Sequence, residues 1–200
     1  MDAGIEVDAV EGREVEALLG EVARLRIEVF REFPYLYAGH AAAEEHYLRS
    51  FAAAAGAVLV VARKQGEVVG VSTGLPLSEA DPAFQAPFAK AGEEVGKWFY
   101  FGESVLRQDC RGCGVGHRFF DFREAHARAM GFGRTTFCAV ERAADDPRRP
   151  ETYRPLDDFW GKRGYRKRPE LVAELGWEQV DSSGSEVTNR LSFWCRELQM

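Results

Sequence analysis

The sequence contains no run approaching the roughly 18 apolar residues that a membrane-crossing helix requires. Its first stretch, MDAGIEVDAVEGREVE, is acidic and lacks an apolar core of signal-peptide length. The expected location is cytoplasmic, with no membrane partner. Cysteine is sparse, four in 200 residues, and these are expected as reduced thiols rather than as a disulfide framework. There is no low-complexity tract, no internal repeat and no linker that splits the chain, which excludes a disordered or repetitive architecture. Basic charge is not in excess either. Lys and Arg number 26 against 32 Asp and Glu, for a net charge of −6, which speaks against nucleic acid as a partner and leaves a small basic substrate open.

What is present is 46% hydrophobic residues, enough for one sizeable core, so residues 1–200 are expected to form a single domain. Residues 4–10, GIEVDAV, alternate apolar and polar and read as a short strand. From Glu14 to Phe30 the apolar residues fall at helical spacing, and Pro34 stops the helix ahead of an aromatic loop, REFPYLYAGH. Ala41 to Ala55 reads as a second helix ended by Gly56. Residues 57–64 and 67–76 flank Gln65-Gly66 as a β-hairpin. The proline-containing segment 77–97 reads as a loop with one helical turn at most.

Lys97 to Leu106 reads as an aromatic strand. It is followed by a turn rich in glycine and by a helix from about Gly116 to Met130, ended by Gly131 and Gly133. Arg134 to Val140 reads as a strand parallel to the one before the turn, closing a right-handed β-α-β unit. A charged connection leads to a short helix at 156–163 and two last strands near 170–180 and 187–198. Their Trp177, Phe193 and Trp194 could support a homodimer edge.

The turn reads Arg111-Gly112-Cys113-Gly114-Val115-Gly116. Glycines at a helix N-terminus remove side chains that would block the backbone, so that N–H groups converge on an anion such as a pyrophosphate. This pattern, together with the order of elements and the segment FWGKRGY at 159–165, resembles the GNAT N-acetyltransferase superfamily over nearly the whole chain. The resemblance implies an α/β (α+β) fold in one domain. Its central mixed, mostly antiparallel sheet would have about seven strands flanked by helices, splayed at the strand before the turn.

It also implies transfer of an acetyl or short acyl group from acetyl-coenzyme A to a primary amine, on a small molecule or peptide, by direct attack in a ternary complex and without a metal. By the same resemblance Arg111, Gly112, Cys113, Gly114, Val115, Gly116 and His117 bind the cofactor's pyrophosphate. The main chain of Val105 and Leu106 pairs with its pantetheine arm. Glu103 is the expected general base, and its aromatic neighbours Trp98 to Phe101 would disfavour the charged form as that role requires; its alternative is a side chain that points to solvent or pairs with an arginine. The proton donor is less well marked, because Trp160 stands where many relatives have tyrosine. Tyr153 and Tyr165 are the nearby hydroxyls. Phe33, Tyr35, Tyr37 and His40 are the candidates for acceptor contact.

Other classes remain to be weighed. Cys110-Arg111-Gly112-Cys113 is a C-x-x-C between strand and helix, as in thiol-disulfide oxidoreductases. Zinc on Cys110, Cys113 and His117 or His126 lacks a second pair of ligands. A coenzyme A-binding module without catalysis would explain Trp160. No Gly-Lys-Ser/Thr follows the glycines, and the turn lies near mid-chain, so neither a P-loop nor a dinucleotide site is expected.

Overall fold

The structure is a computed structural model and describes residues 4–10 and 13–199. Strand β1 is Ile5–Val10, and helices α1 and α2 are Arg13–Phe30 and Ala41–Ala52. Strands β2 (Val58–Lys64) and β3 (Glu67–Pro76) form the expected hairpin, with Gln65 and Gly66 both at positive φ, as a type I′ turn demands. Helix α3 is Pro82–Lys90, and strands β4 and β5 are Trp98–Tyr100 and Ser104–Leu106. Helix α4 is Val115–Ala129, β6 is Arg134–Val140, α5 is Asp157–Lys162, β7 is Arg166–Glu178 and β8 is Glu186–Glu197.

One mixed sheet runs β1-β2-β3-β4-β6-β8-β7, with β5 also paired to β3, so it has eight strands where about seven were expected. Among the described strands only β4–β6 is parallel, and α4 makes the crossover between them. Val22, Leu48, Val61, Val71, Phe88, Tyr100 and Phe193 pack on the face covered by α1 to α3. Phe99, Phe101, Phe119, Phe120, Phe137 and Tyr165 fill the face under α4, where Phe159 and Trp160 of α5 pack against them. Each such buried ring or aliphatic chain contributes about 2 kcal/mol relative to exposure.

Two expectations need correction. Segment 77–97 is not mainly loop. Pro82 sits at the first helical position of α3, where a missing N–H costs nothing, and the Asp81 carboxylate accepts the Ala83 N–H at 2.8 Å as an N-cap. The aromatic strand is also not continuous, because residues 101–103 bulge between β4 and β5.

Candidate active site

The bulge is the origin of the site. Through Tyr100 the chain lies beside β6 in parallel register, and the Phe101 N–H still donates to the Thr136 carbonyl at 2.8 Å. At Gly102 it turns toward β3 instead. A side chain here would meet Thr73 Oγ1 at 2.6 Å, which explains the glycine. From Ser104 the chain pairs only with β3, while β6 continues to Val140 paired only with β8. The sheet therefore opens into a V between β5 and the second half of β6.

The hydrogen-bond parity of β5 fixes which groups face the opening. Thr73 N–H donates to the Glu103 carbonyl and Arg107 N–H to the Val69 carbonyl. Antiparallel pairing alternates, so the Val105 main chain also serves β3, and it is Ser104 and Leu106 whose main-chain groups face the V. This corrects the expectation for Val105, whose buried side chain supports the strand from the core. The Leu106 carbonyl accepts from Arg111 Nε at 3.0 Å, and the same guanidinium reaches Glu32 just past α1 at 2.9 Å.

The turn then lifts the chain onto α4. Gly112 and Gly114 have φ of 78° and 82°, a region that suits glycine, and nothing lies within 4 Å of where a side chain would start. Arg111 N–H donates to the Gln108 carbonyl, and His117 and Arg118 N–H to that of Gly114. Between them, the N–H groups of Gly112, Cys113, Gly114, Val115 and Gly116 have no acceptor among the described residues. A row of free donors at the positive end of a 15-residue helix has the chemistry that phosphate oxygens need. Val115 is buried, His117 lies edge-on to Phe159 with centroids 4.9 Å apart, and a side chain at Gly116 would start 3.5 Å from the same ring.

At the apex of the V sits Glu103, 8% exposed. Its carbonyl is gripped by Thr73 N–H, Ser72 Oγ and Arg123 Nη1, and its N–H donates to Thr73 Oγ1. Its carboxylate faces a cation rather than the flanking rings, which point into the two cores. Arg26 Nη1 of α1 lies 2.6 Å from Oε1, and the Tyr47 hydroxyl donates to Oε2 at 3.3 Å. Arg26 Nε donates to Glu44 at 2.5 Å, and its guanidinium lies over both the Phe30 and the Tyr47 rings. Burial opposes the charge on Arg26, but Glu103, Tyr47 and Glu44 together outweigh it and hold the guanidinium protonated. Sequence reasoning missed Arg26 and Glu44. The available signal was position, because Arg26 follows Val22 by one helical turn and Glu44 precedes Leu48 by one, on the buried faces of their helices.

The aromatic loop reaches the same cluster. Tyr35 stacks near Trp177, and burial, with Cys138 and Glu103 nearby, raises its hydroxyl well above the ordinary value. Burial and a hydrogen bond with Glu44 push Tyr37 up to about 12. Phe33 meets Tyr153 edge-on at 4.8 Å, and burial raises the Tyr153 hydroxyl. His40 is exposed, 3.8 Å from Glu178. Tyr165 lies elsewhere. It is 1% exposed in the core under α4, its hydroxyl bonded to Thr135 and Glu124. Trp160 packs on Phe137 and Trp194. Of the C-x-x-C pair, Cys110 is buried, which raises its thiol, while Cys113 is exposed. Among the described residues no group of three or more His, Cys, Asp or Glu is arranged to hold a metal ion, and no helix is long and apolar enough to cross a membrane.

Comparison with known proteins adds to this geometry. No curated protein matches the chain by sequence. Solved structures match its fold along almost its full length. An acetyltransferase from Acinetobacter baylyi has a TM-score of 0.63 at 12% identity, covering 99% of this chain and 95% of the other. The Drosophila melanogaster polyamine N-acetyltransferase gives 0.60 at 15% identity, covering 97% and 100%. An acetyltransferase from Salmonella typhimurium, solved with its cofactor acetyl-CoA, gives 0.55 at 11% identity, covering 98% and 95%. The sequence profile of the acetyltransferase (GNAT) family matches residues 23–150, a stretch that runs from α1 through the split strand and the glycine turn to beyond β6, and the chain belongs to that family.

Proposed function

We propose that the chain is a single-domain, cytoplasmic N-acetyltransferase that moves an acetyl or related short acyl group from coenzyme A to a primary amine by direct attack in a ternary complex. The observation that carries this reading is the row of free N–H groups at 112–116, standing where the sheet splits beside Glu103. These donors would hold the pyrophosphate, with Arg111, Cys113 and His117 flanking it. The main chain of Ser104 and Leu106 would pair with the pantetheine arm as an added strand. Acetyl-coenzyme A, when bound, supplies the acetyl thioester.

Glu103 takes a proton from the acceptor's ammonium group. The freed nitrogen pair forms the new C–N bond as the C–S bond breaks, and the departing thiolate takes up a proton while the amide nitrogen loses one. Tyr153, on the acceptor side with Phe33, is the candidate donor of that proton and recovers one from the amide nitrogen, while Glu103 passes the first proton to solvent; Tyr165 is bound to Glu124 and Thr135 away from the V. Tyr35, Tyr37 and Phe33 would line the approach of a small-molecule or peptide amine.

The test is acetyl-coenzyme A turnover against an amine library, with Glu103→Gln as control. Loss of the general base is expected to lower kcat by about 10²–10⁴-fold with coenzyme A affinity unchanged by calorimetry. Undiminished turnover in Glu103→Gln would remove it from the mechanism. Thioester hydrolysis that no amine stimulates would instead favour a coenzyme A-binding module without transfer.

A further inference from the structure

Arg26 touches both carboxylates, but not in the same way. Its Nε is aimed at Glu44 in a directed hydrogen bond of 2.5 Å. Its Nη1 approaches Glu103 Oε1 at 2.6 Å without hydrogen-bond alignment, and both of these buried atoms have no hydrogen-bond partner among the described residues. Among the described residues the other Glu103 oxygen has only the long 3.3 Å bond from Tyr47. The backbone of Glu103, by contrast, is fixed by Ser72, Thr73 and Arg123. A pinned main chain thus carries a carboxylate held close to a cation by charge but not by direction.

We propose that Arg26 is a positioning residue that parks the Glu103 carboxylate and yields it to the acceptor's ammonium group, while Glu44 keeps the guanidinium compensated through the exchange. The proposal rests on the reading of Glu103 as the proton acceptor. A buried cation that loses its only carboxylate is heavily penalised, whereas one that keeps a second, better-aimed carboxylate is not. Directed charge-assisted bonds are the strong ones, so the contact to Glu103 is the one that opens. The ammonium then satisfies the unpartnered Oε1. The Phe30 and Tyr47 rings, with centroids 5.1 and 4.6 Å from the guanidinium carbon, hold it in place during the exchange.

The groups that face this carboxylate are Arg26 from α1, Glu44 and Tyr47 from α2, Tyr35 from the aromatic loop, and Arg123 from α4, whose bond is to the Glu103 carbonyl. Arg26 and Glu44 therefore act on Glu103 in opposite senses. Glu44 holds one side of the guanidinium, and removing its charge leaves the whole guanidinium to Glu103.

The experiment is NMR of the full chain with ¹³C-labelled glutamate and ¹⁵N-labelled arginine, the Glu103 carboxyl signal being assigned by its loss in Glu103→Gln. With n-butylammonium as the probe, the Glu103 signal and the Arg26 Nε signal are expected to move together in the unsubstituted chain. In Glu44→Gln that joint movement is expected to be lost, because the guanidinium has no second carboxylate to keep when it releases Glu103. Arg26→Lys, which keeps the charge, is expected to retain the Glu103 response. If Glu44→Gln does not fold, the joint movement in the unsubstituted chain and the Arg26→Lys comparison carry the test. A Glu103 signal indifferent to the probe would overturn the proposal, as would a probe that moves Glu103 while the Arg26 Nε signal stays put. These readouts need no turnover, so failure of the exchange is distinct from failure of Glu103 as base, which the kinetics of Glu103→Gln decide.

Discussion

Gly114 and Gly116 lie two residues apart in the same turn and do different physical work. Gly114 has φ at 82° with open space around it, so a methyl group there meets no neighbour and is disfavoured by backbone conformation alone. Gly116 is already in the first turn of α4, where an added Cβ would touch only Phe159 at an ordinary 3.5 Å. Gly114→Ala is therefore expected to lower unfolding free energy by about 1–2 kcal/mol. Gly116→Ala is expected to leave it unchanged or raise it by about 0.5–1 kcal/mol. Urea unfolding separates the two. Coenzyme A affinity by calorimetry is expected to fall in both, through re-aimed N–H groups in the first case and a blocked approach in the second; Gly116→Ala binding as tightly as the parent would show that this glycine serves the helix packing alone. At this scale the sequence displayed the glycines and Glu103 openly. It hid Arg26 and Glu44, because charged residues on amphipathic helices ordinarily mark the solvent face, and only their one-turn spacing from Val22 and Leu48 betrays the opposite.

Among the elements, α3 shows what a local rule can conceal. Pro82 and Pro87 look like breaks, yet the first occupies N1 and the helix continues through the second, with Asp81 closing its N-terminus. Asp81→Ala is expected to cost about 1 kcal/mol of stability, read as a lower urea midpoint with kcat unaffected, since α3 packs on β7 away from the V. A larger loss would mean that Phe88, buried against Trp98 and Phe193, depends on the cap for its place in the core. The strand at 97–106 raised a different difficulty. Its ten residues carry an unbroken run of strand formers at the start, and nothing in that run specifies where pairing changes from β6 to β3. The change is set by Thr73 and Arg123, 30 residues before and 20 after, which reach Gly102 and Glu103 only in the folded sheet. The hairpin at 65–66 and the parallel β6 rest on short-range signals, and both stand as the residues indicated.

For the molecule as a whole, burial leaves a titration signature in alkali. Desolvation pushes the Cys138 thiol up to about 12 and the Cys195 thiol up to about 11, from an ordinary 9.0. A group whose folded value is raised adds stability below its unfolded value and loses it as pH climbs toward the folded one. The urea midpoint is thus expected to decline from pH 9.0 toward about 11, with the buried Tyr35, Tyr47 and Tyr100 adding to the decline higher up because their hydroxyls are raised as well. Cys138→Ala and Cys195→Ala are expected to flatten the first part of that curve; an unchanged slope would mean that these thiols ionise as readily in the folded chain as in the unfolded one.

The guanidinium of Arg111 spans the opening of the V, from the Leu106 carbonyl to Glu32 at the start of the aromatic loop. Any guest that pairs with Leu106 competes for that carbonyl and shifts the guanidinium's hold on the loop. Thermodynamic reciprocity then requires the loop's ligand to alter the guest's affinity by the same factor as the guest alters its own. With an exposed ion pair as the link, that factor is small, worth up to about 1 kcal/mol. With coenzyme A on Leu106 and the acceptor on the aromatic loop, as proposed, binding of either substrate is expected to alter binding of the other before any bond between them is made.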